Sequence, residues 1–204
     1  MFDVTDFMKE LATKRPIFHS EADFQHAFAW QFREWYPTAN IRLEYPVHVD
    51  SKWIYADIWI SLPEVNLAIE LKYKTVRQET YFNNEPFHLK NHGAQDLGRY
   101  DFLKDVTRLE YFKKLNGVEG YAILLTNDYQ YWGAARRETV DKNFRLHENR
   151  NLTGELSWYG TPSLGTIRKR EDMLPISGNY YCNWQAYSKL DGHNLEFRYL
   201  ALKI

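Results

Sequence analysis

Ala56-Asp57-Ile58-Trp59-Ile60 and, past a short turn, Ala68-Ile69-Glu70-Leu71-Lys72 decide more about the fold than any other part of the chain. Both runs are rich in β-branched and apolar residues, and Leu62-Pro63-Glu64-Val65-Asn66 between them is a turn, so they read as a hairpin. Alternate side chains of a strand point to opposite faces. That period sets Ile54, Ala56, Ile58 and Ile60 on one face of the first strand, 53–60, and Tyr55, Asp57 and Trp59 on the other. On the second strand, 67–74, Leu67, Ile69, Leu71 and Tyr73 turn inward, and Ala68, Glu70, Lys72 and Lys74 outward. Asp57, Glu70 and Lys72 can then share one face.

The neighbouring segments extend this hairpin into a sheet with helices. Residues 41–49 alternate, with Ile41, Leu43, Tyr45 and Val47 against Arg42, Glu44 and His48, and Asp50-Ser51-Lys52 turns the chain into the hairpin. Ser20 with Asp23 three residues on is a helix start, and Glu21 sits in the first turn, where the helix dipole favours an acid. Phe24, Ala27, Phe28, Phe32 and Trp35 follow at helical spacing until Pro37. Residues 3–13 form a short amphipathic helix. Residues 76–92 are polar and carry no clear period. A long helix spans about 94–115, and Tyr121-Ala122-Ile123-Leu124-Leu125-Thr126 reads as a buried central strand. Helix followed by buried strand is a crossover, which makes part of the sheet parallel. A further helix is expected over 138–148 and a last strand over 195–202, with the final sixty residues extending the sheet. The fold class is α/β, a mixed central β-sheet flanked by helices, in a single domain over 1–204.

Composition bounds the function more loosely. The chain has 204 residues, is 44% hydrophobic and has a formal charge of -1. That suits one full core, and contact with a polyanion must then come from local basic patches. Aromatics make up 17%, enough for a surface that stacks on something as well as for the core. The single cysteine, Cys182, excludes an internal disulfide and paired-cysteine zinc sites. No run of about 20 apolar residues occurs, and Met1-Phe2-Asp3-Val4-Thr5-Asp6 is not a signal peptide. The expectation is a soluble cytoplasmic protein with no membrane segment.

Two acids beside a lysine on one sheet face are the charge layout of a divalent-metal site that cuts phosphodiesters. Mg²⁺ (or Mn²⁺) takes one or two carboxylates and completes its shell with water and phosphate oxygens, and Asp57 and Glu70 would supply those carboxylates. The ammonium of Lys72 points at the same volume, where it can orient the attacking water or stabilise the transition state. Glu-x-Lys alone says little, because solvent-facing strands often pair opposite charges.

Asp57, a twelve-residue gap and Glu70-Leu71-Lys72 together resemble the PD-(D/E)xK nuclease superfamily, which includes restriction endonucleases and RecB-like nucleases. The similarity runs over about residues 20–127: a helix opened by Glu21, the hairpin, a helix and a buried strand. It implies a restriction-endonuclease-like core over about 17–127, with a β-rich extension over 128–204. It also implies a metal-dependent nuclease acting on DNA, with Asp57 and Glu70 as metal ligands, Lys72 serving water and transition state, and Glu21 as an additional metal or water contact. A homodimer fits, since two sites can cut two strands, but nothing in the sequence shows one. Ala56 stands where the family name has Pro. The helix motif Gln-x-x-x-Tyr is out of step, since four residues separate Gln95 from Tyr100. The alternatives are a catalytically inactive nucleic-acid- or protein-binding module on the same fold, and a metal-dependent hydrolase of a small phosphate ester.

Other charged groups carry bland readings. Asp101, Asp105 and Arg108 on the long helix read as an intrahelical ion-pair set, with Arg99 or Lys104 as phosphate contacts in the functional version. Arg136-Arg137 and Arg168-Lys169-Arg170 read as solvated faces. Tyr129, Tyr131 and Trp132 read as packing over the sheet end, or as a stacking platform. The seven histidines show no i, i+4 zinc pair; His19 is the one nearest the Glu21 helix.

Overall fold

A computed structural model describes residues 2–204. The chain opens with helices α1 (Val4–Lys14) and α2 (Glu21–Trp35), then strands β1 (Asn40–Val49), β2 (Lys52–Ser61) and β3 (Asn66–Lys74). A small hairpin follows, β4 (Gln78–Phe82) and β5 (Glu85–Leu89), then α3 (Gln95–Phe112) and β6 (Val118–Thr126). The last third holds β7 (Asn151–Leu156), the single-turn α4 (Leu164–Ile167), β8 (Leu174–Tyr181), β9 (Gln185–Lys189) and β10 (Glu196–Lys203).

Six strands form one mixed sheet in the order β1-β2-β3-β6-β10-β9. β3 and β6 are parallel, from Asn66 opposite Val118 to Lys74 opposite Thr126, and α3 makes the crossover. The remaining pairs are antiparallel. Each face carries its own core. On one, α1 and α2 bury Phe7, Phe24, Phe28 and Phe32 against Ile58, Ile60, Ile69, Leu71 and Ile123. On the other, α3 buries Phe102, Leu103, Val106 and Leu109 against Ala56, Ala68, Ala122, Leu124 and Leu200. Side chains of this size contribute about 1.5–3 kcal/mol each when fully buried, so the two layers clamp the sheet between them.

Several expectations hold. Ser20 caps α2, its hydroxyl accepting from the Asp23 N–H at 3.2 Å, and the helix-to-strand crossover is parallel. Others need correction. The polar stretch 76–92 is the β4–β5 hairpin, turned at Asn83 and Asn84 with φ of 50° and 65°, values that Asn tolerates best among non-glycine residues. The expected helix over 138–148 reduces to one 3-10 turn, Lys142–Phe144. The final residues do not all extend the sheet: β9 and β10 join it, but β7 and β8 pair separately and pack on the α3 side.

The most consequential correction lies in β2. The simple alternation assigned to it breaks at Asp57: Ile58 and Ile60 join the α1–α2 core, whereas Ala56 and Ile54 face the α3 core. The rung between Glu44 and Asp57 is missing from the otherwise regular β1–β2 ladder, and Glu44 takes φ of 49°, a conformation that costs a non-glycine residue roughly 1–2 kcal/mol. β2 therefore twists over at this rung. Its pairing with β3 stops there too, with Ile58 opposite Ile69 as the last contact. The two strands fork, and the β1–β2 hairpin continues beyond the sheet with Trp53 and Tyr55 exposed.

Candidate functional site: a carboxylate cluster in the fork

Beyond Ile69, β3 keeps β6 on one edge but has lost β2 on the other. The amides that face the gap need acceptors. Asp57 Oδ2 accepts from the Leu71 N–H and Glu21 Oε2 from the Tyr73 N–H, each at 2.8 Å. One acid comes from β2 just past its last pair with β3 and the other from the first turn of α2, so the fork draws together carboxylates far apart in sequence.

Glu70 and Lys72 rise from β3 on the α3 side. Alternation alone turns that face outward, but α3 covers it. Glu70 is 1% exposed, and neither of its side-chain oxygens has a hydrogen-bond donor among the described residues. Lys72 Nζ lies 2.9 Å from Asp105 Oδ2 and 3.8 Å from Glu21 Oε1. Its contact with Asp105 is a close ion pair off the line of a hydrogen bond, since Asp105 Oδ2 has no hydrogen-bond partner by geometry. Arg108 also enters the fork. It contacts Asp105, lies 3.5 Å from Glu70 Oε1 and donates to the carbonyl of Tyr55 at 3.0 Å.

The electrostatics divide these groups into roles. Burial, then the charges of Asp105 and Asp57, hold the Glu70 carboxyl well above its ordinary range, and Arg108 and Lys72 offset this only in part. Burial also pushes the Asp105 carboxyl up, against Lys72 and Arg108. Both cations contact Asp105, so we take it as the ionised partner and Glu70 as the group in deficit. Burial would depress the Lys72 ammonium, but Asp105, Glu21 and Asp57 more than reverse that, and its pKa rises. Lys72 is therefore a fixed cation and not a proton acceptor. With every group ionised, Glu21, Asp57, Glu70 and Asp105 carry four negative charges against two positive ones.

All four residues singled out from the sequence, Glu21, Asp57, Glu70 and Lys72, meet at this fork. Asp105 and Arg108 were missed as members of it. Their intrahelical pairing is real, but the signal overlooked was an acid inside the apolar stripe Phe102, Leu103, Val106 and Leu109. Other residues lie elsewhere. Gln95 donates to Asp128 at 2.8 Å, and Asp101 pairs with Arg170. Arg99 is 2% exposed and bound to Asp141 at 2.6 Å, which removes it as a phosphate contact. His19 stacks on Phe87, with Nε2 2.8 Å from Glu85.

Among the described residues no three acidic, histidine or cysteine side chains form a cage that could hold a metal ion. A cation taking two carboxylates and otherwise water and phosphate oxygens needs no such cage. The donor-less Glu70 carboxylate and the unbalanced negative charge suit it. Among the described residues, no helix is long and apolar enough to cross a membrane. No protein-family model matches the chain, and neither does any curated protein or solved structure.

Proposed function

We propose that the chain is a Mg²⁺- or Mn²⁺-dependent nuclease with a restriction-endonuclease-like core, acting on DNA. The observation that carries this reading is Glu70: a carboxylate sealed under α3, without a donor, beside Asp57 and Lys72. A buried charge so placed must take up a proton or a cation, and folding alone gives no reason to keep it.

Asp57 and Glu70 would hold the cation, with the second oxygen of Asp57 left over from its bond to the Leu71 N–H. When bound, the divalent ion supplies positive charge beside a scissile phosphate and makes water a better nucleophile. Lys72, kept cationic by its three acidic neighbours, would face the same phosphate and stabilise negative charge there. Glu21 is set to orient water through Oε1, its other oxygen being fixed by the Tyr73 N–H. Arg108 pins β2 to α3 through the Tyr55 carbonyl and keeps the fork open. The exposed rings of Trp53 and Tyr55, four and two residues before Asp57, offer a stacking surface for bases next to the cut.

One observation favours a second reading, a non-catalytic binding module on the same fold. Lys72 is already engaged by Asp105, and Asp57 and Glu21 each commit an oxygen to β3, so the cluster also works as a structural polar network. Cleavage of mixed DNA and RNA substrates with Mg²⁺ or Mn²⁺ separates the two. Wild type should cut, and Asp57→Asn and Lys72→Ala should each lose cutting while remaining folded. Activity surviving both substitutions would remove the fork as the site. No cutting on any substrate, with no metal-dependent rise in melting temperature, would leave the binding module.

A further inference from the structure

A second charged site lies after β6, away from the fork. Residues 129–150 run without a long helix or strand and fold back on themselves. Arg136, Arg137, Lys142, Arg145, His147 and Arg150 line one concavity of about 510 Å³. A second concavity of about 550 Å³ shares Arg136, Arg137 and Arg145 and has Tyr129 at its wall. The chain as a whole has a charge of -1, so this concentration of cations is local.

Most of this charge is not neutralised. Lys142 pairs with Glu138, and Arg145 with Asp141, which Arg99 also holds from behind. Glu148 turns away to accept from the Trp184 N–H. Among the described residues no carboxylate pairs with Arg136, Arg137 or Arg150. Arg150 donates one bond, to the Asn143 carbonyl, and the Nε atoms of Arg145 and Arg150 are buried without an acceptor. Like charges crowded without carboxylate partners call for a multivalent anion, and guanidinium groups match phosphate geometry.

Tyr129 adds a second kind of contact. The residue is 66% exposed, and its ring lies against Gly133, where an added Cβ would come within 2.5 Å of two ring atoms. An exposed ring beside an arginine cluster suits a base attached to a phosphate.

We propose that residues 129–150 form a nucleotide-phosphate pocket, in which Arg136, Arg137, Arg145 and Arg150 take the phosphates and Tyr129 stacks on the base. The ligand is a nucleoside phosphate, either free or at the end of a strand. The pocket shares no residue with the fork and does not depend on its chemistry.

Calorimetric titration in EDTA at low salt tests this. Wild type should bind ATP and tripolyphosphate but not adenosine. The double variant Arg136→Glu/Arg137→Glu, on exposed positions that leave the core intact, should bind both polyphosphates at least tenfold more weakly. Tyr129→Ala should weaken ATP and spare tripolyphosphate. A 5′-phosphorylated oligonucleotide bound more tightly than its 5′-hydroxyl form marks a strand end as the source, and equal binding of the two, with ATP bound, marks a free nucleotide. Asp57→Asn should bind ATP as wild type does, which separates this pocket from any failure of the nuclease reading. The pocket is overturned if neither polyphosphate binds, if adenosine binds as well as ATP, if the double variant is unchanged, or if Asp57→Asn abolishes binding.

Discussion

Replacing Glu70 by Gln should make the metal-free protein more stable. The substitution keeps the shape and removes a charge that sits 1% exposed, without a donor, beside Asp57 and Asp105. Exchanging the buried charge, repelled by Asp105 and Asp57, for a neutral amide that can donate to carboxylates gains about 1–3 kcal/mol. At roughly 2–4 °C per kcal/mol for a chain of this size, the melting temperature in EDTA should rise by about 2–12 °C. The gain depends on pH with a definite sign. The folded Glu70 carboxyl has a pKa above its ordinary value of 4.5, so the native state holds the proton to higher pH than the unfolded chain does. Wild-type stability therefore falls as pH rises above about 4.5 and levels off above the folded pKa. The Gln variant lacks that fall, so its advantage is small near pH 4.5 and grows towards neutrality. Mg²⁺ should stabilise wild type, by about 2.7 kcal/mol at a hundredfold excess over Kd, and the variant by much less. Melting in EDTA and in Mg²⁺, from pH 4.5 to 8, reads all of this. A variant that melts lower than wild type in EDTA would refute the reasoning. It would mean that Glu70 is a structural partner of Arg108, since breaking such a buried pair costs about 3–5 kcal/mol.

Other outcomes follow from the packing. Gly98 sits inside α3, where Ala normally gains about 1 kcal/mol in helix propensity. Here an added Cβ would collide with the Tyr131 hydroxyl, and that ring is buried under Arg99. Gly98→Ala should lower stability by about 1–3 kcal/mol in urea unfolding, and a gain would mean that Tyr131 moves freely. Arg99→Ala leaves the buried Asp141 with Arg145 as its remaining cationic partner and should cost about 1.5–3 kcal/mol; an unchanged urea midpoint would show the pair to be solvated. Trp53→Ser with Tyr55→Ser should leave the melting temperature within about 1 °C, because both rings are exposed. It should raise KM for nucleic acid at least fivefold, given about 1–3 kcal/mol per stacked base, and an unchanged KM would remove the hairpin from the substrate path.

Much of the sheet was legible because its strands announce themselves locally. β3 and β6 are short apolar runs bounded by turns, and the helix between them dictates a parallel pairing. Glu21, Asp57, Glu70 and Lys72 stand out as candidates through their spacing on that frame. The fork was not legible. The alternation of β2 looks unbroken in sequence, and its reversal comes from the left-handed backbone of Glu44 on another strand. Nor was the burial of Glu70 legible: a charged residue in alternation reads as solvent-facing until α3 is laid over it. The segment 138–148 shows the opposite failure: Glu138–Lys142 and Asp141–Arg145 have helical spacing, but Phe144 and Leu146, two residues apart, are both buried, which no helix face allows. Convergence of Arg136 and Arg137 with Arg145 and Arg150 is a tertiary event that leaves no local mark.

The two amides capped at the fork have a use of their own. Leu71 N–H and Tyr73 N–H each donate to a single carboxylate oxygen, of Asp57 and Glu21 respectively. A proton resonance is sensitive to the charge on its acceptor, so each signal monitors one acid. In an ¹⁵N-labelled sample, adding Mg²⁺ should shift the Leu71 cross-peak as Asp57 shares its charge with the ion. The Tyr73 cross-peak reports separately whether Glu21 takes part. Solvent exchange of both amides should be slow for an edge without a partner strand, and should quicken on replacement of the capping acid by alanine. The split sheet thus carries a built-in pair of spectroscopic probes, one for each carboxylate that closes its open edge.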